Sequence, residues 1–227
     1  MLKLPLFRIR PFSLALGAAG LSFMAGGANI YVMPFFLQLL LNFSPQDAGL
    51  IMLAGPLTLS IAAPVGGILS EKVSTRWIAS LGLLITSTGY FLFSFLGDDW
   101  SWKEVVWRSA LVSLGFGLFQ SPNSSSALNA APISERGVAS SLIAFMRNLG
   151  LITGIALGAA VWYSIRNRYS VLHGVAPVST AAQVAGMQWV YRVMSGLAIM
   201  GAFISFIRGS NLLNQKSENK YLYRQNT

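Results

Sequence analysis

The 227-residue sequence contains no cysteine and a single histidine, His173. That excludes a disulfide framework, a thiolate metal site and a cysteine nucleophile, and it leaves the redox compartment unreadable. Acids are scarce: seven Asp and Glu stand against sixteen Lys and Arg. No phosphate-binding glycine loop occurs, and no Ser/His/Asp or paired-carboxylate set has a common location. His173 has no second ligand nearby, so no metal is expected. Charge is sparse overall, at 10% of residues, where a soluble domain carries about a quarter.

What the chain has instead is apolar bulk, 54% of residues with a mean hydropathy of +0.58. This places it in the membrane class. The formal charge of +9 sits in loops and tails between apolar runs, which fits membrane topology and not a phosphate-binding face, so nucleic acid is not an expected partner.

A basic segment, 1–11, leads into an apolar run over 12–41, too long for a signal peptide's core and read as a spanning helix. Further spans are expected over 48–70, 77–96, 104–131, 137–165 and 187–207. Pro56 and Pro64 should kink the second. The longest loop is expected over 166–186 and contains His173. A polar, Asn- and Gln-rich tail, 208–227, has the composition of a disordered segment. This gives an all-α integral membrane protein with a six-helix domain over 12–207. Ten basic residues fall on the face shared by the termini and five on the other. The bias predicts a cell-membrane protein with both termini cytoplasmic.

Within these spans, residues 115–158 read GFGLFQSPNSSSALNAAPISERGVASSLIAFMRNLGLITGIALG. Small residues at four-residue spacing, Gly150, Gly154 and Gly158, suit helices that approach closely in lipid. Ser140, Gly154 and Gly158, with Gly150 at the edge, predict one packed face on the fifth span. Arg147 falls about 15 Å into that span, counted from Gly137 at 1.5 Å per residue. An arginine at that depth must face protein or water. It is expected on the same face, either as a purely structural hydrogen-bonding group or as a functional one. On the fourth span Ser109, Ser113, Gln120, Asn123 and Ser124 share one sector, which fits interhelical hydrogen bonding or a cavity wall. On the first span Tyr31, Phe35 and Gln38 share a face, which suits ordinary packing or a cavity for flat, amphipathic or cationic compounds. Arg108, beside Trp107, is expected to snorkel to the outer interface as an anchor.

The order GFGLFQSPN, then a proline and an Arg-Gly turn, then Arg-Asn-Leu-Gly-x-x-x-Gly, resembles the C-terminal half of major facilitator superfamily transporters, and most closely their fourteen-helix drug:proton antiporter branch. The resemblance runs from about Pro5 to Arg208. Residues 67–76, Gly-Ile-Leu-Ser-Glu-Lys-Val-Ser-Thr-Arg, resemble the family signature Gly-x-Leu-Ala-Asp-Arg-x-Gly-Arg-Arg. Gly67, Leu69, Glu71, Lys72 and Arg76 fit it, while Ser74 and Thr75 depart from it. Taken alone, the turn also fits a topogenic charged loop.

The resemblance implies one half of a major facilitator fold, built from two three-helix inverted repeats. It implies a substrate cavity lined by Tyr31, Phe35, Gln38, Ser113, Gln120, Asn123, Ser124 and Arg147. It also implies a conformational-switch loop with Gly67, Glu71, Lys72 and Arg76. The expected activity is export of small amphipathic or cationic organic compounds by proton antiport, with no cofactor. Expected partners are the substrate, protons, lipid, and either an N-terminal half or a homodimer partner. No span holds a deep carboxylate, so a proton-carrying acid is expected in that other half. A membrane enzyme is disfavoured because the spans lack a histidine, cysteine or acid. The alternative reading is a non-transporting assembly subunit or a remnant.

Overall fold

The computed structural model describes residues 4–208. The chain runs through α1 (Arg10–Phe35), a π-helical turn (Phe36–Leu40), α2 (Pro45–Met52), α3 (Ala54–Lys72), α4 (Thr75–Phe93), α5 (Trp102–Ala130), α6 (Arg136–His173) and α7 (Thr180–Ile207). Short 3-10 turns lie at Leu4–Arg8 and Ile133–Glu135, and the described residues contain no strand. The expected tail, Arg208 apart, lies outside the described residues.

By length and composition, four segments can cross a membrane: Arg10–Leu40, Pro45–Lys72, Ile133–His173 and Thr180–Ile207. α4 and α5 span 19 and 29 residues but are diluted by hydroxyls and amides, among them Thr86, Ser87, Gln120 and Asn123. Both pack within the bundle beside the apolar four.

Two local differences from the sequence reading have clear causes. The second expected span is broken at Leu53. Pro56 has no N–H, so the Met52 carbonyl loses its helical partner and the ring crowds that turn. Leu53 N–H turns back to Leu50 O at 3.2 Å, and the ladder resumes with Leu57 N–H on Leu53 O at 3.0 Å.

The loop expected over 166–186 is mostly helix. α6 continues to His173 and ends on Gly174, whose φ of 64° suits a residue without Cβ. α7 starts at Thr180, where Ser179 Oγ accepts from Ala182 N–H at 3.4 Å. Arg166 and Arg168 end the hydrocarbon-compatible stretch, but a helix can carry charge beyond the lipid core. At about 1.5 Å per residue, 38 residues reach about 57 Å, well past a core of about 30 Å.

Packing follows a symmetric pattern. α1 lies on α6 as α3 lies on α5, and α1 lies on α7 as α4 lies on α5. α4 with α7, and α1 with α5, complete a set that maps onto itself when α1, α3 and α4 exchange with α5, α6 and α7. The departures are that α6 packs on α7 more fully than α3 does on α4, and that α5 touches α6 where α1 scarcely meets α3.

Small residues set these approaches. On α6 a methyl at Gly154 would land on the Met24 carbonyl, and one at Gly150 would sit 2.7 Å from Gly20 O. Between α3 and α5, Gly66 and Gly117 meet Leu118 and Ala62; between α4 and α5, Gly82 meets Gly115. Buried hydroxyls add specificity: Ser87 Oγ lies 2.8 Å from Ser195 Oγ across α4 and α7, and Thr86 Oγ1 donates to Val112 O at 3.2 Å. Such bonds contribute about 0.6–2 kcal/mol each in a membrane.

The α6 face facing α1 is Ala139, Leu142, Gly150, Gly154 and Gly158. Ser140 and Arg147, expected on it, are exposed, and Gly150 lies within it. The contact follows a row of residues four apart, and such a row winds around the helix. The straight-wheel assignment ran parallel to the axis and missed this drift.

Candidate functional site

The polar stripe of α5 divides between two concave regions. Ser109 and Ser113 line a cavity of about 280 Å³ between α1, the α2–α3 segment and α5. Gln120, Ser121 and Ser124 line a cleft of about 430 Å³ between α3 and α5. Pro56 and Leu59 belong to both walls, so the regions adjoin along α3. Among the described residues, the side chains of Ser109, Ser113, Gln120, Ser121 and Ser124 make no hydrogen bond. In a span, such groups need water or a ligand as partner.

The smaller cavity contains residues the sequence reading did not single out. Asn29 on α1 faces it, with Met33, Met52 and Phe93 as apolar walls. Tyr191 on α7 donates its hydroxyl to Asn29 Oδ1 at 3.3 Å. Phe93 stacks on Tyr191 at 4.9 Å between centroids, so the wall is backed by a buried aromatic pair. A lone amide inside the apolar run of α1 was the available signal for Asn29.

Asn123 lies elsewhere. It is buried and lines neither cavity. Its Nδ2 donates to Ala15 O at 3.1 Å, and its Oδ1 accepts from Arg208 Nη1 at 2.5 Å. This group joins α5, α1 and the end of α7. Arg208 is buried, and its Nη2 has no partner among the described residues.

Tyr31 and Phe35 meet Trp162 of α6, with centroids 6.0 and 5.2 Å from it. Trp162 is another residue the sequence reading passed over. Gln38 is exposed in the π-helical turn. Arg147 is exposed on α6 and has no hydrogen bond or ion pair among the described residues.

In the α3–α4 turn, Glu71 and Lys72 are exposed and form no ion pair among the described residues. Arg76 lies over Trp77 at 5.3 Å and Phe206 at 5.1 Å, a cation–π contact that ties this turn to α7. A methyl at Gly67 would sit 3.1 Å from Ser121 Oγ, so Gly67 serves the α3–α5 contact. Arg108 is held near the N-terminal end of α5. It pairs with Glu104, with Trp100 at 4.0 Å and Trp107 at 4.2 Å from its guanidinium.

A sequence model of the Major Facilitator Superfamily matches residues 15–220. An uncharacterized transporter of Escherichia coli, YebQ, is 35% identical over 70% of this chain and 35% of its own length. The riboflavin transporter RibZ of Clostridioides difficile is 27% identical over 90% of this chain and 44% of its own. The chain thus spans less than half the length of either relative. Among solved structures, a bacterial homolog of the human lysosomal transporter Spinster, inward-facing and unoccupied, superposes with a TM-score of 0.69 at 19% identity. That match covers 90% of this chain and 49% of the other.

Proposed function

The chain belongs to the Major Facilitator Superfamily, and on that premise we propose that it forms a six-pass half of a transporter exporting small amphipathic or cationic organic compounds by proton antiport. The observation that carries this reading is the set of α5 side chains Ser109, Ser113, Gln120, Ser121 and Ser124, unbonded among the described residues and set along two adjoining concavities. Hydroxyls and amides at span depth would be lost to lipid, so they suit a route wetted by water and substrate. The exchange symmetry of the helix contacts supports two three-helix inverted repeats.

The other half, or a second copy, completes the second wall and meets the exposed Arg147. The proton-carrying acid belongs there as well, because Asp47, Glu71, Asp98, Asp99, Glu104 and Glu135 all lie in turns or at helix ends. In this reading Tyr31, Phe35 and Gln38 border the cavity, and the turn bearing Gly67, Glu71, Lys72 and Arg76 is the switch that reorganises as access alternates. Asn123 stands behind the cavity wall and fixes α5.

The test uses the absence of cysteine. Gln120→Cys and Ser124→Cys should react with a water-soluble maleimide in native membranes, while Ile152→Cys, on the exposed apolar face of α6, should not. Inert positions 120 and 124 would reduce the stripe to helix packing. Cells expressing the complete transporter should exclude a fluorescent organic cation and lose that exclusion when the proton gradient collapses. Accumulation unaffected by the gradient would rule out proton antiport.

A further inference from the structure

The cavity between α1, the α2–α3 segment and α5 has a chemistry of its own. It is walled mainly by carbon and sulfur, with Met33, Met52, Pro56 and Phe93 among its lining, and no acid or base is part of the wall. Its polar groups are Asn29, Ser109 and Ser113. Its volume of about 280 Å³ lies near the lower end of small-molecule sites, about 300–1,000 Å³.

The polar groups are biased toward donation. Tyr191 donates to Asn29 Oδ1, so one acceptor site of the amide oxygen is taken, while both amide N–H groups are without a partner among the described residues. The hydroxyls of Ser109 and Ser113 are likewise unbonded and can donate. A cation entering here would give up its hydration without meeting a counter-charge, at a cost of several kcal/mol. A neutral ring system loses little on entry and gains the flexible thioethers of Met33 and Met52 and the ring of Phe93.

Resting on the transport reading above, we infer that this cavity is a substrate subsite inside the bundle for the neutral, flat two- or three-ring members of that amphipathic class, the cations being left to the wider cleft of Gln120 and Ser124. A carbonyl edge of that compound accepts from Asn29 and Ser113. Tyr191 is a positioning residue: its hydroxyl fixes which edge of the Asn29 amide is free.

The test uses the full chain in nanodiscs of neutral lipid, with Ile30→Cys as a reporter in the cavity wall on the cysteine-free background. Lumiflavin is the neutral, carbonyl-bearing probe, and proflavine is a cation of the same three-ring size. Lumiflavin should slow maleimide alkylation of the reporter by about tenfold, and proflavine should leave it nearly unchanged. Adding Asn29→Leu or Ser113→Ala should remove the protection, and Tyr191→Phe should weaken it. The Ser113 side chain bonds nothing among the described residues, so Ser113→Ala keeps the fold even if Asn29→Leu does not. Absence of protection by lumiflavin, equal protection by proflavine, or protection undiminished by Ser113→Ala would each overturn the assignment. The reactivity of Ser124→Cys, in the neighbouring cleft, reports on the transport reading and is independent of these outcomes.

Discussion

Arg208 and Asn123 join the end of α7 to the interior of α5, with Nη1 2.5 Å from Oδ1. Asn123 passes the connection on to the Ala15 carbonyl of α1, so one amide ties together three helices distant in sequence. Replacing Asn123 with leucine keeps the volume but strands a buried guanidinium. The expected cost is about 2–3 kcal/mol. A clear fall in the unfolding temperature of the purified chain in detergent should follow, partly recovered when Arg208→Met is added. An unchanged melting curve for Asn123→Leu would mean that the amide holds nothing.

Gly154→Leu should abolish assembly, because even a methyl there collides with the Met24 backbone. Overpacking at a well-fitted contact commonly costs about 1–3 kcal/mol, and backbone cannot rotate away. Ile155, one residue on, is 39% exposed, so Ile155→Leu is the matched control. Equal yields of folded protein from the two variants would contradict the α1–α6 contact.

The charge bias predicts that His173 faces outward and Glu71 inward. His173→Cys should react with an impermeant maleimide in intact cells, and Glu71→Cys only after the membrane is opened. His173 is exposed at the tip of α6, so access is not limiting. The opposite pattern would invert the topology.

Arg147→Leu should abolish transport by the complete transporter while leaving this half folded, because Arg147 bonds nothing among the described residues. Arg147→Lys separates two roles: retained activity indicates a need for charge, and lost activity a need for the planar fork. Wild-type transport by Arg147→Leu would remove the residue from the mechanism.

Hydropathy alone located most of the helices, because a span must be continuous and apolar whatever it packs against. The ends of α5 at Trp102 and Ala130 fall within two residues of the sequence reading. Side-chain placement was less legible. Gln120 and Asn123 are both amides in one sector of α5, yet one lines a cleft and the other is sealed. The difference comes from Arg208, 85 residues away, which no periodicity within α5 encodes. Trp162 was passed over for the same reason: its partners Tyr31 and Phe35 belong to the first helix. Arg147 was placed on the correct helix but the wrong side, since a wheel carries no information about crossing angle.

The glycines between α1 and α6 also constrain how force travels. The Met24 carbonyl occupies the place a side chain would take at Gly154, and the Leu151 carbonyl does the same at Gly27. Each helix therefore has a tooth in a notch of the other. Along this row the next glycines, Gly150 and Gly158, lie four residues away, about 6 Å at 1.5 Å per residue, so any shorter slide lifts each carbonyl out of its notch. This interlock opposes relative translation, so the two helices are built to tilt together as a single strut.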